Sequence, residues 1–456
     1  GADNTAVGSY ALNANTTADN NTAVGYYAMY NNSTGASNVA VGFQALTSNT
    51  TANQNTAVGR NALSTVTTGA SNTAVGYYAL NDATGSWNTA IGDKAMENCT
   101  TGHNNVAVGH QALDDALTGN YNVAIGINAM GQTTSGDTSV AIGQLALYDN
   151  TTGSGNVAIG YEALTNNTTT SQQTAVGYKA LNAQINSGSD NTAIGYEAMK
   201  VAQGADFCTA VGHRCMISLT DGQYNTAMGV GALNAETAGD YNTAIGSGSL
   251  RYCNNTVGHN TAVGHNALHN VNDGYSNVAV GVDAGDTITT GLDNTFIGRH
   301  ADASGASVAH EIVLGSGING AGSNTFFVKG SSGVYNSGNT TAWQTTSDSR
   351  IKKNIVDNNT GLDILNQIQV RNFEYRTEEE IVDFDNPGVV KVDKQGLQLG
   401  VIAQEIAEVL PEVVKTQTTG VKTVDPDNLT WYMVNAIKEL SAENTALKAR
   451  LDAAGL

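Results

Sequence analysis

The hydrophobic and polar positions of this chain repeat on a fixed short cycle. A glycine closes an Asn-Thr-Ala-Val-Gly-like motif at Gly8, Gly25, Gly42 and onward to Gly281 and Gly298, in 18 copies spaced 17 residues apart with single slips to 16 or 18. The residue before each glycine is Val or Ile except at Met228, and the one before that is Ala except at Phe296. Four before the glycine stands Asn, replaced only by Ser139, Gln173 and Cys208. A small residue and then Leu or Met follow at three and four after it, as in Ala11-Leu12 and Ala28-Met29. A second glycine recurs seven before the first, as at Gly35, Gly69, Gly85, Gly102 and Gly153.

Self-similarity at a fixed period marks stacked supersecondary units. The five-residue motif is too short for a helix and alternates, which predicts a short strand. Of its two faces, the β-branched one (Thr/Val and Val/Ile) is expected to fill an interior. The Ala and Gly face is expected to admit another backbone. The Ala-Leu pair predicts a second short strand or a corner, with Leu or Met packing on the Val/Ile row. Glycine-rich turns close each coil, using positive φ where a side chain would clash. One coil cannot bury its own apolar side, so neighbours must stack, and 18 rungs at about 4.8 Å give a rod of about 85 Å. The Asn column predicts an amide ladder.

Composition divides the chain. Of 52 Gly and 3 Pro, every proline (Pro387, Pro411, Pro426) lies late, and Pro would interrupt such ladders. Residues 1–303 hold 7 basic and 21 acidic side chains; residues 304–456 hold 13 and 19 in half the length. The boundaries read here are a repeat rod at 1–303, a β-rich connector at 304–346 and a distinct domain at 347–456. The last two coils lose their Leu to Gly285 and Asp302, which suggests that the rod ends there. With 13% charged but 40% hydrophobic residues, the chain is neither an ordinary globular domain nor a disordered one. A formal charge of −20 disfavours nucleic acid as a partner. No apolar run reaches the 18 residues of a spanning helix, so no membrane insertion is expected. The chain opens on Gly1, so an upstream part is expected to be missing.

A thin coil with one small-residue face suggests association, and three chains around one axis close it. The repeat motifs resemble the head repeats of trimeric autotransporter adhesins (YadA-like), whose shorter coils form trimeric parallel β-rolls. The fold class expected is therefore mostly β, a trimeric β-solenoid followed by a small α+β domain.

The second part carries candidate chemistry. Thr346-Ser347-Asp348-Ser349-Arg350-Ile351-Lys352-Lys353 resembles the Ser-Asp-x-Arg-x-Lys signature of the intramolecular chaperone domain of phage tail spikes, tail fibres and endosialidases. Further matching blocks are Gly361-Leu362-Asp363-Ile364-Leu365, Arg371-Asn372-Phe373-Glu374-Tyr375, Gly400-Val401-Ile402-Ala403-Gln404-Glu405 and Pro411-Glu412-Val413-Val414. The resemblance implies self-cleavage at Thr346–Ser347 after trimerisation. Ser347 Oγ attacks the preceding carbonyl, and a lysine held neutral by burial takes its proton. Lys352 holds the family's position for that base, with Lys353 the alternative. Asp348, Arg350 and Gln404 belong to the supporting motif. The bland reading makes Ser347 a turn residue and the lysines a solvated pair.

A helix expected over about 429–453 places Met433, Ile437, Leu440, Asn444, Leu447 and Leu451 at a/d heptad spacing, with Asn444 at an a position that fixes register. The alternative is an amphipathic helix packed on its own domain. The rod's identical rungs can misregister, and a domain that trimerises first sets the starting register.

Other constellations are weak. Cys99, Cys208, Cys215 and Cys253 lack metal or redox spacing and read as small-residue substitutes in a reducing compartment. His110, His213 and His265 follow the motif Gly, in a column shared with Tyr26, Tyr77, Tyr161, Tyr178 and Tyr196. They read as exposed surface, and the tyrosines as rung fillers or contacts for sugars or protein receptors. No metal and no cofactor is expected. The functional expectation is a homotrimeric virion tail-fibre or spike segment, assembled in the host cytoplasm, binding a host cell-surface receptor and other tail proteins. The rival is a bacterial trimeric adhesin.

Overall fold

The computed structural model describes residues 1–115, 117–183, 188–328, 355–358, 360–376, 395–416 and 421–455. They divide into two compact units, Gly1–Gly320 and Ala321–Leu456.

The first unit is a parallel β-solenoid of coils about 17 residues long. Each coil contributes one three-residue strand, from Thr5–Val7 through Thr22–Val24 and Val39–Val41 to Thr295–Ile297. Register is strict: Thr5 pairs with Thr22, Ala6 with Ala23 and Val7 with Val24, and equivalent repeat positions pair in the same way up the stack. Identical positions therefore face each other at every rung, as the sequence period requires.

The two faces of the strand are the reverse of the sequence expectation. The strand alanines, such as Ala23, Ala40 and Ala57, are wholly buried, while Val7, Val41, Ile91, Ile125 and Ile194 stand exposed. The interior is too thin for β-branched side chains from the strand. It holds Ala from one wall and Leu or Met from the other, with Met29, Leu46, Leu63 and Leu80 fully buried. Leu and Met pack with the alanines, not on the Val/Ile row.

The Ala-Leu segment is a corner. Two residues of it take left-handed φ in nearly every coil, as at Gln44 (54°) and Leu46 (53°). Such a conformation costs an L-residue about 1–2 kcal/mol. It is offset because each corner stays hydrogen-bonded to both neighbours: Gln44 N donates to Tyr26 O at 2.9 Å, and Leu46 N to Ala62 O at 3.0 Å. The motif glycine is required twice over. At Gly109, φ is +140°, and a Cβ would sit 2.5 Å from Gly126 O.

The Asn column forms a ladder, but the links run through the backbone. Asn38 N donates to Asn21 Oδ1 at 2.9 Å, and Asn38 Nδ2 donates to Ala52 O at 2.9 Å. Amide-to-amide contact is occasional, as from Asn294 Nδ2 to Asn277 Oδ1 at 2.9 Å. Ser139 keeps part of the link, its Oγ accepting from Asn156 N at 3.2 Å. A second buried Asn column, at Asn32, Asn49, Asn150 and Asn167, escaped the sequence reading. Asn49 Nδ2 donates to Asn32 Oδ1 at 2.8 Å. The signal was an Asn three before the second glycine or its substitute.

The sheet runs past residue 303, where the loss of Leu suggested its end. Ile312–Leu314 pairs with Thr295–Ile297 in register, and Glu311 takes the Asn place, its N–H donating to Asn294 Oδ1 at 2.9 Å. The missing Leu at Gly285 is compensated from the next coil: a Cβ there would meet the Phe296 ring at 2.7 Å. Phe296 is the one large residue at the buried Ala position, and it is wholly buried.

The second unit contains three α-helices among the described residues: α1 (Leu362–Leu365), α2 (Ala403–Val409) and α3 (Pro426–Ala453). Two antiparallel strand pairs accompany them, Arg371–Phe373 with Gln398–Gly400 and Val414–Thr416 with Lys422–Val424. Ile406, Leu410 and Val413 form the core, covered by Ile364, Ile368, Val401, Leu429 and Tyr432.

Candidate functional site

The helical tail carries one apolar surface of the second unit. One side of α3 packs on its own unit. Leu429 and Tyr432 cover the core, and Ala436 lies so close to Gly361 that a Cβ there would stand 2.3 Å from Ala436 N. Glu439 Oε2 accepts from Leu362 N at 2.7 Å, and Asn435 Nδ2 donates to Asn358 O at 2.6 Å. Tyr432 Oη donates to Glu412 Oε1 at 2.7 Å, which holds the Glu412 carboxyl below its ordinary range and raises the phenol. Both readings of this helix thus have residues, on different faces. The a/d positions Met433, Ile437, Leu440, Leu447 and Leu451 form a separate stripe that stays exposed, Ile437 at 67%. Asn444 lies on the same stripe, also exposed.

The matching blocks named in the sequence meet in this unit. Arg371 reaches Glu405 with two bonds, Nε to Oε2 at 3.2 Å and Nη2 to Oε1 at 3.1 Å, tying the first strand pair to α2. Gln404, next to Glu405, is exposed on α2. Thr346, Ser347, Asp348, Arg350, Lys352 and Lys353 lie outside the described residues.

Residues 347–415 match the S74 peptidase family, the chaperone of endosialidase. The match begins at Ser347, the residue expected to follow the cut. No curated protein matches the chain. A chaperone domain of this kind thus stands C-terminal to a parallel β-solenoid, an arrangement like that of a tail fibre.

On the solenoid, the outward side of the strands offers a second candidate surface. The exposed Val/Ile row runs along it, and residues just past the motif glycine border that row. Tyr26 stacks on Phe43 at 5.5 Å, and the Arg60 guanidinium lies 5.4 Å from the Phe43 ring and 5.8 Å from Tyr77. His110, His213 and His265 fall in this column and are exposed, as the sequence suggests; His110 Nε2 pairs with Asp93 at 3.2 Å. Among the described residues, no group of His, Cys, Asp and Glu gathers as metal ligands do. The four cysteines are buried; burial pushes the Cys99 and Cys215 thiols up to about 12 and Cys208 to about 11, so their thiolates are disfavoured.

Proposed function

We propose that the chain is a fibre segment of a virion, in which the C-terminal domain aligns three copies of the rod and then cuts itself away at Thr346–Ser347. The observation that carries this reading is the chaperone match beginning at Ser347, behind a rod whose rungs are interchangeable. Identical rungs fit any neighbour, so three rods meeting at random can pair out of step. A domain that associates first removes that choice.

Two apolar surfaces support association. The Val/Ile row is a straight, half-exposed stripe on a β-sheet, and its partner here is the same row on two other copies. The a/d stripe of α3 has the period of a coiled-coil seam and no cover from its own unit.

The cut is a rearrangement within the chain. Ser347 Oγ bonds to the Thr346 carbonyl carbon while Lys352 or Lys353, neutral, accepts the hydroxyl proton. The C–N bond then breaks, the proton passes to the Ser347 amine, and Thr346 is left as an ester on Ser347. Water hydrolyses the ester to a Thr346 carboxylate and a free Ser347 hydroxyl. Intact mass under denaturing conditions tests this. The unmutated chain is expected as two fragments divided at Thr346–Ser347 and Ser347→Ala as one; a single full-length mass for both contradicts the cut.

A further inference from the structure

Four consecutive coils carry two adjoining columns of unusual regularity. Tyr161, Tyr178, Tyr196 and His213 each follow the motif glycine. Their rings stand 5.4, 5.0 and 5.1 Å apart, tilted by only 12°, 8° and 11°. Rings in flat contact lie about 3.5–4 Å apart, so each is slipped sideways on the next. The column is a staircase with part of every face open, and the three tyrosines are 39%, 40% and 42% exposed.

Beside each ring is a charge, alternating in sign: Glu162, Lys179, Glu197 and Arg214. Lys179 Nζ meets Glu162 Oε2 at 3.1 Å, and Arg214 Nε meets Glu197 Oε2 at 2.9 Å. Lys200 Nζ adds a bond to Glu197 Oε1 at 2.7 Å. Lys179 Nζ also lies 5.9 Å from the Tyr161 ring and 5.5 Å from Tyr178, and Arg214 Cζ lies 5.9 Å from Tyr196.

We propose that this strip binds an extended, uncharged glycan lying along the rod. Four properties select that class. The centroid spacing of 5.0 to 5.4 Å matches the length of one pyranose and its glycosidic oxygen in an extended β-linked chain. An extended peptide rises about 3.3 Å per residue and falls out of step with the rings. A pyranose has an apolar face and a hydroxyl edge, and the strip sets open ring faces beside carboxylate and phenol oxygens. The charges are already paired with one another, so an ionic ligand must break pairs, whereas hydroxyls bond to the remaining lone pairs. Finally, backbone bonds between coils fix the chain beneath each ring and the rings stack on one another, which lowers the ordering cost.

This deepens the adhesive role proposed for the rod and rests on it, yet its test is separate, since sugar binding is read whether or not Ser347 cuts. A ring stack also steadies the rungs, and a second stack serves as the control. Phe207, Tyr224, Tyr241 and His259 repeat at 5.0, 5.1 and 5.2 Å without an alternating charged column.

The test is calorimetric titration of the full chain with cellohexaose and chitohexaose, and with maltohexaose, whose α-linked chain curves. Saturable binding of at least one extended hexasaccharide is expected, with maltohexaose at least tenfold weaker. Tyr178→Ala/Tyr196→Ala is expected to lower affinity at least tenfold, and Tyr224→Ala/Tyr241→Ala to leave it unchanged. If the first variant fails to fold, Tyr178→Phe/Tyr196→Phe, which keeps the stack and removes the hydroxyls, decides by a several-fold loss at unchanged melting temperature. Absence of binding, equal affinity in the variant, or a change of oligomeric state in its place overturns the proposal.

Discussion

Asn105 Oδ1 accepts the backbone N–H of Asn122 at 2.9 Å, one coil further on, while Asn105 Nδ2 donates to Gly119 O at 2.9 Å. One buried side chain thus satisfies a donor and an acceptor of the backbone that strand pairing leaves open. Repeated up the rod, this link ties each coil to the next in the same way. Asn105→Ala orphans both groups, a loss of about 2–4 kcal/mol. Asn105→Ser retains the acceptor, as Ser139 does, and is expected to fall between. Urea unfolding checks the order; equal midpoints for all three chains would contradict it.

The glycines separate by environment. Gly109→Ala places a Cβ against backbone that cannot move without breaking the sheet, at a φ of +140°. No folded protein is expected from it. Gly155, at φ +68°, has nothing closer than 3.8 Å to a Cβ, and Asn20 and Asn104 fill its place in other coils. Gly155→Asn is expected to be neutral or stabilising by up to about 1 kcal/mol. Soluble yield and melting temperature check both.

Asp286 and Asp302 give a pH signature. Asp302 accepts from Thr287 N at 2.9 Å, Thr287 Oγ1 at 2.6 Å and Ala303 N at 2.8 Å. Partial burial, then Asp302 beside it, raises the Asp286 carboxyl from 3.8 to about 6. A carboxyl raised on folding holds its proton more tightly in the folded chain, so stability falls as pH rises from about 3.8 to about 6. Asp286→Asn removes that penalty. The gain expected at pH 7.5 is roughly 1 kcal/mol, about a third of what the shift alone gives, because solvent screens a group this exposed. It should vanish by pH 3.5. Thermal melts across that range check it, and a gain independent of pH would contradict it.

The period, the strand and the need for glycine were legible because each repeats in the sequence. The orientation of the strand was not. Alternation separates Ala from Val and Ile but leaves open which set points inward; that depends on the room left once Leu46 and its counterparts turn in from the corner. Left-handed φ at Leu46 is equally hidden, since nothing in a Leu residue signals it. Gly285 misled because its compensation, Phe296, comes from the neighbouring coil. In the second unit the heptad positions Met433 to Leu451 were legible from spacing. The face of α3 that packs, at Tyr432 and Ala436, was fixed by partners far back in the chain, such as Gly361.

The stripe on α3 and the Val/Ile row lead to one claim, that three chains stand together. Light scattering of the uncut Ser347→Ala chain after size exclusion tests it most directly. The account predicts three times the 47.0 kDa chain mass, falling to one chain when Ile437→Glu and Leu447→Glu are introduced before folding. A mass of one chain at every concentration for Ser347→Ala would contradict it.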